Sequence, residues 1–219
     1  MEKYIDILKD SRLFAGVKKE DIRAMMSCMS AKISSYKKGE YIFRQGDILN
    51  NLFIVLEGSV HIQSDDYWGN RSILNEVNKG GIFGEAYAVH NTSPTLNDAV
   101  ASNDSVIAVF SLKKMMTVCS NMCRFHSLVI ENLVDILATN NLSLVQKLTH
   151  ITKRSTREKL ISYLSLQSKL NHSSSFSIPF NRQQLADFLS IDRSAMSNEL
   201  CKMRDEGLIE FHKNNFTLL

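Results

Sequence analysis

A chain of 219 residues that is 44% hydrophobic and 22% charged, with only two prolines, carries enough apolar content for one large or two small cores. This excludes a disordered tail, a fibrous repeat and a minimal peptide scaffold. The net charge of +3 is unevenly placed: residues 1–149 carry 16 Lys plus Arg and 16 Asp plus Glu, whereas residues 150–219 carry 10 and 7, so a polyanionic partner is expected at the C-terminal third.

Cys28, Cys119, Cys123 and Cys201 are scattered, and the first residues, MEKYIDILKD, are charged throughout, unlike a secretory leader. No uninterrupted apolar run reaches the ~18 residues of a membrane helix. The expectation is a cytoplasmic protein with free thiols and no membrane partner.

In chain order, an amphipathic helix is predicted over residues 18–29. Seven of the nine glycines then fall between Gly39 and Gly84, punctuating short apolar stretches at 40–44, 52–56, 60–63, 71–76, 99–101 and 106–110. Short strands rich in Val, Ile and Phe, separated by Gly, Asn and Asp, predict a small antiparallel sandwich or roll.

From Cys119 to about Ile151 the period becomes helical. Ile130, Val134, Leu137, Asn141, Leu144, Leu148 and Ile151 recur at alternating intervals of four and three, which is a heptad seam. Val129, Leu133 and Ile136 widen the stripe, so one face can pack on the β domain while the seam pairs with a second subunit; the alternative on the pattern alone is a long helix packed inside one chain. Asn141 within the seam can set register and partner number.

A further helix over 156–170, a polar loop at 171–177 and a strand at 176–180 lead to the most specific segment. Asn181 and Gln184 have the spacing of a capping box for helix 182–189; Asp192 is an N-cap for a helix from Arg193 to about Glu206, which Gly207 ends. Met196, Leu200 and Met203 form its buried stripe. Two helices across the turn 190–192 make a helix-turn-helix, and strands at 208–211 and 216–218 around Asn214 and Asn215 add a wing.

With that stripe inward, Arg193, Ser194, Ser197 and Asn198 are exposed at the helix N-terminal end, where Arg can read guanine and Asn adenine. Arg182 and Gln183 are expected at phosphates. The Ser at position 190, where φ is often positive in such turns, carries a cost of up to ~1 kcal/mol.

This order of parts resembles the Crp/Fnr family of bacterial transcription regulators over almost the full chain. The likeness rests on Lys38-Gly39-Glu40, Gln45-Gly46-Asp47, Leu56-Glu57-Gly58-Ser59-Val60, Phe83-Gly84-Glu85 and Arg193-Ser194-Ala195-Met196-Ser197-Asn198. It implies an α+β architecture: an N-terminal antiparallel β roll, jelly-roll-like, over 1–118; a dimerisation helix over 119–151; and a winged helix-turn-helix over 152–219.

The resemblance also implies an effector site at Gly84 and Glu85. In cyclic-AMP-binding members, an Arg followed by Ser or Thr meets the cyclic phosphate after the Gly-Glu pair, while the Glu holds the ribose. Counted without gaps, those phosphate positions are Thr95 and Leu96 here. Without the cation, cyclic AMP is not expected to be the effector, and the small molecule sensed is unknown. Asn140 and Asn141 fall where family members reach from the dimer helix toward the adenine.

The oxygen-sensing branch holds an iron–sulfur cluster with four cysteines, three near the N-terminus; only Cys28 lies there, so no cluster is expected. Cys119 and Cys123, at i and i+4, are a candidate thiol pair, and His90 is read as a surface histidine rather than a haem ligand. Where the cyclic-AMP regulator has Arg-Glu and a later Arg, this chain has Arg193-Ser194 and Asn198, so a different half-site is expected.

The expected partners are double-stranded DNA at a near-palindromic operator, a second copy of the chain, the effector and, as a further candidate, RNA polymerase. The alternative is a nucleotide-binding regulatory subunit acting through protein contacts. No phosphate-cradling Gly loop, zinc-spaced cluster or nucleophile elbow points to an enzyme.

Overall fold

A computed structural model describes residues 2–65, 71–117 and 124–219, which form two compact units, Met1–Ala138 and Thr139–Leu219. In the first unit, α1 (Ile5–Asp10), a 3-10 turn at Arg12–Phe14 and α2 (Lys19–Cys28) precede β1 (Lys32–Tyr36), β2 (Tyr41–Phe43), β3 (Asn51–Glu57), β4 (Ser59–Asp65), β5 (Arg71–Asn78) and β6 (Ile82–Phe83). After these come α3 (Glu85–Val89), β7 (Asp98–Ala101), β8 (Ser105–Ser111), α4 (Leu112–Met116) and the start of α5 (Arg124–Ile151).

The described strands of the first unit form two antiparallel sheets, ordered β1-β8-β3-β6 and β2-β7-β4-β5. The expected roll is present. Its centre is β3, whose unbroken apolar run suits a strand buried on both faces. Leu52, Ile54 and Leu56 join the core with α1, α2 and α5, while Phe53 and Val55 turn to the second sheet and pack with Phe43, Val60, Val77, Phe83, Ala99 and Ile107.

Strand β1 is absent from the sequence reading because Ser34 and Ser35 dilute its apolar signal. It gains its place as an edge strand, paired from Lys32 with Val109 to Tyr36 with Ser105.

Helix α5 is expected from Cys119 and described from Arg124; the thiol pair of Cys119 and Cys123 lies outside the described residues. Its first half packs in the unit-one core through Val129, Leu133 and Ile136, and Asn132 Nδ2 donates to the carbonyls of Leu13 and Ala15 at 3.0 and 2.9 Å. The expected seam is exposed only in part: Val134, Leu144 and Leu148 are 60, 62 and 52% exposed and Asn141 is exposed, whereas Ile130, Leu137 and Ile151 are half-buried, Leu137 against the unit-one core.

Length and composition add one observation to the membrane reading. Phe125–Ile151 is long and apolar enough to cross a membrane by length and composition, with mean hydropathy of 1.3 over an 18-residue window. Counting unbroken apolar runs does not register this segment, because Glu131, Asn132, Asp135 and the later Asn, Thr and Ser residues interrupt it, while its many Leu, Ile and Val residues keep the window average high.

The second unit contains the end of α5, α6 (Thr156–Asn171), β9 (Ser175–Ser177), α7 (Arg182–Leu189), α8 (Arg193–Asp205), β10 (Ile209–His212) and β11 (Asn215–Leu218), with sheet order β10-β11-β9. Leu160, Tyr163, Leu164, Leu185, Ala186, Leu189, Met196, Leu200 and Met203 fill its core. Capping boxes start α6 at Ser155 and Glu158 and α7 at Asn181 and Gln184.

Strand β9 is shorter than expected because Pro179, lacking an N–H, cannot continue the ladder. The hairpin turn is also shifted. It is Lys213 and Asn214 that lie between the paired His212 and Asn215, and Lys213 carries the positive φ of 53°. Asn214 is held to β9 instead: its carbonyl accepts from Ile178 N at 2.9 Å and its amide donates to Ile178 O at 3.1 Å.

Candidate nucleic-acid interface

The face offered by α8 follows from its two ends and its buried stripe. Helix α7 closes on Ser190 in the left-handed region, φ 52° and ψ 58°, and Ile191 N donates to Ala186 O at 3.0 Å. Two residues later Asp192 caps α8, accepting from Ala195 N at 2.8 Å; that bond, first among several, holds the carboxyl below the usual carboxylate range. With Met196, Leu200 and Met203 at most 1% exposed, the opposite face is left to water.

Arg193, Ser194 and Asn198 are exposed, as expected from the stripe. Ser197 is half-buried, and its hydroxyl donates to Arg193 O at 2.9 Å, so its outward bonding capacity is partly used within the helix. Lys202, four residues beyond Asn198 and exposed, extends this face with a cation. Helical i+4 spacing from Asn198 is the signal that finds it. Lys213 adds a second exposed cation at the tip of the wing.

Arg182 and Gln183 begin α7 together but have different surroundings. The Arg182 guanidinium lies 4.8 Å from the ring centre of Phe211 and 5.1 Å from that of Phe216, half-buried, with Nη1 buried and without a hydrogen-bond partner. Burial pulls its pKa down. The arrangement braces the wing against α7 by cation–π contact. Gln183 is exposed and donates to Asp187 Oδ1 at 2.8 Å.

In the first unit the Gly-Glu turn and the 95–96 loop come together. Gly84 has φ +77°, and a Cβ on it would sit 2.9 Å from the Phe53 ring, so both conformation and space require glycine. Glu85 follows, buried, as the first residue of α3. Tyr87 on the same helix accepts from Leu96 N at 3.2 Å through its hydroxyl.

Thr95 is 1% exposed and its bonds all go to the backbone of the 44–47 turn: the hydroxyl donates to Arg44 O at 2.7 Å, the N–H to Asp47 O at 2.9 Å, and its carbonyl accepts from Gly46 N at 2.8 Å. Leu96 is 66% exposed and supplies no charge. Behind this loop Phe43, Phe53 and Phe83 pack with ring centres 5.1 to 6.2 Å apart inside the roll.

Asn140 and Asn141 belong to the second unit and are exposed; His90 is exposed and closes α3. Among the described residues, no three His, Cys, Asp or Glu side chains stand close enough together to hold a metal ion.

Comparison with known proteins follows the same division. A cyclic nucleotide-binding domain model matches residues 33–122, and a Crp-like helix-turn-helix domain model matches residues 158–219. The chain is 25% identical over 104 residues to cGMP-dependent protein kinase 2 of Homo sapiens, covering 47% of this chain and only 13% of that much longer protein. It is 24% identical over 179 residues to the nitrogen fixation regulation protein FixK of Rhizobium meliloti, covering 81% of this chain and 77% of that one. The crystal structure of the Thermus thermophilus catabolite activator protein shares the fold, with a TM-score of 0.52 at 22% identity over 95% of this chain and 94% of the other. The kinase shares less than half of the chain, whereas FixK and the Thermus protein extend through both units. A nucleotide-binding-type roll followed by a Crp-like winged helix-turn-helix, in this order and over this length, makes the chain a member of the Crp/Fnr family of transcription regulators.

Proposed function

We propose that this regulator binds a near-palindromic operator as a homodimer and is switched by a small molecule in its roll other than cyclic AMP. The observation that carries the DNA reading is the outward cluster of Arg193, Ser194 and Asn198 at the start of α8, opposite a fully buried stripe. An Arg or Asn bidentate to a base edge discriminates by ~1–3 kcal/mol. Gln183 and Lys202, exposed beside this face, serve phosphates, and Arg182 acts from beneath the wing by orienting it.

The exposed seam of Val134, Asn141, Leu144 and Leu148 supports self-association, since apolar residues in heptad spacing are stable in water only when paired. Two recognition helices on a two-fold axis then meet successive major grooves ~34 Å apart. As a DNA-binding regulator the protein works in the cytoplasm, with RNA polymerase as a candidate downstream partner; no catalytic role is proposed.

Against cyclic AMP stand Thr95, whose hydroxyl is committed to a carbonyl, and Leu96, which brings no cation to a cyclic phosphate. A buried charge left unpaired costs ~3–5 kcal/mol, a hundredfold or more in affinity. The effector favours one arrangement of the seam over another and so changes operator affinity without touching DNA.

Selection of bound fragments from a random duplex pool, repeated at rising salt, tests the DNA reading. Enrichment of a two-fold-symmetric sequence whose binding weakens steeply with salt is expected. A pool from which nothing is enriched would refute operator recognition and favour a regulatory subunit that works through protein contacts.

A further inference from the structure

The first turn of α6 carries two cations that reach across to both helices of the helix-turn-helix. Arg157 Nε donates to Glu199 Oε1 at 2.5 Å, and its two terminal nitrogens donate to the two oxygens of Glu206 at 2.8 and 2.7 Å. One guanidinium thus grips α8 at mid-length and again at its C-terminal cap, Glu206. Two residues on, Lys159 Nζ donates to the carbonyls of Leu189 and Ser190, at 3.2 and 3.1 Å, where α7 ends and the turn begins.

Both contacts lie within four residues of the Ser155 cap, immediately after the 152–155 connection from α5. A fork-to-carboxylate pair fixes direction as well as distance, which a lone ammonium cannot do.

We infer that Arg157 is a positioning residue for operator recognition: locked to Glu199 and Glu206, it sets the pitch of α8 on α6, while Lys159 holds the turn. This rests on the DNA-binding reading above. It makes α6, α7 and α8 one body, so a rotation delivered at the 152–155 connection reaches Arg193 and Asn198 without being absorbed between the helices.

The charges make the inference testable, because two carboxylates on a recognition helix oppose a polyanion. Simple electrostatics predicts that Glu206→Gln tightens DNA binding, whereas the clamp predicts that it weakens binding to the correct sequence. The full-length chain carrying Arg157→Gln, Glu206→Gln or both is titrated onto the selected operator and onto an unrelated duplex of equal length.

Each single variant is expected to lose about tenfold in operator affinity, and the double variant no more than either single one, since one contact is shared. Affinity for the unrelated duplex holds, or rises for Glu206→Gln, and the salt slope of Arg157→Gln is unchanged. Arg157→Lys recovers only part of the loss. An operator affinity that is kept or improved in Glu206→Gln overturns the inference. So does an Arg157→Gln variant that weakens both duplexes alike with a salt slope reduced by about 0.9, the mark of a lost phosphate contact.

Where the unaltered chain itself prefers no duplex, the DNA reading fails separately and amide exchange judges the clamp. Faster exchange along α8 and the 190–192 turn in Arg157→Gln, with the rest of the second unit unchanged, is the expected result; unaltered exchange refutes it.

Discussion

Replacing Leu144 with alanine separates the two faces of α5. Burying a whole leucine side chain is worth ~1.5–3 kcal/mol. Leu144 is 62% exposed in the single chain. It therefore has about 1–2 kcal/mol still to gain on pairing, doubled by two-fold symmetry to about 2–4 kcal/mol per dimer. Alanine keeps only the β-carbon, so about 1.5–3 kcal/mol is lost, and the dimer dissociation constant rises about 10- to 150-fold.

Sedimentation over a range of concentrations measures this directly, and operator affinity falls in parallel because half-sites are no longer bound jointly. The fold of the single chain is expected to survive, since Leu144 touches water rather than a core. Leu133→Ala is the control from the other face: 2% exposed within the roll's core, it costs ~2–5 kcal/mol of folding stability and leaves the seam intact. A Leu144→Ala chain that sediments like the unaltered one at every concentration would refute pairing through this seam, and a chain bound instead to vesicles would turn attention to the apolar length of the helix.

Arg193→Ala is expected to relax base choice at one position of the selected site and to cost ~1–3 kcal/mol, read as the sequence logo and affinity of a repeated selection. Calorimetry with cyclic AMP is expected to give no micromolar binding, and heat that fits a micromolar constant would defeat the exclusion. His150 is 3% exposed, with Nδ1 bonded to Ser162 Oγ at 2.8 Å and the ring edge-on to Tyr163 at 5.7 Å. Burial first, and Lys153 second, hold its pKa below the ordinary 6.5. The unfolded chain takes up the proton first, so this contribution to stability is fully present above pH ~6.5 and is lost as pH falls from there toward the lower folded value. Denaturant melts between pH 8 and pH 5 check this against His150→Asn, whose profile should be flatter over that window. Ser190→Gly, at φ 52°, is expected to stabilise the second unit by up to ~1 kcal/mol in the same melts, because glycine adopts that conformation without strain.

Much of the surface proposed to face DNA is legible in the sequence because the interactions that build it are local. Asn181 with Gln184 and Asp192 with Ala195 are three residues apart, and the stripe of Met196, Leu200 and Met203 is set by the helical period alone. The double-sided burial of β3 was likewise written in its unbroken apolar run. A period and a cap constrain neighbours along the chain, and those constraints survive whatever the rest of the molecule does.

What lay beyond the sequence were the partners brought in from far along it. Thr95 gives its hydroxyl to a carbonyl 51 residues away, Arg157 reaches carboxylates 42 and 49 residues away, and Arg182 settles on the aromatic rings of the wing rather than standing free. The edge strand β1 and the turn at Lys213 have the same origin, since pairing with β8 and the pull of Asn214 toward β9 outweigh weak local preference. Capping and periodicity therefore determined which residues face outward on α8. Only the packing of distant segments decided which of the remaining polar groups are already engaged, because a hydrogen bond across the fold leaves no mark on the spacing of the residues that make it.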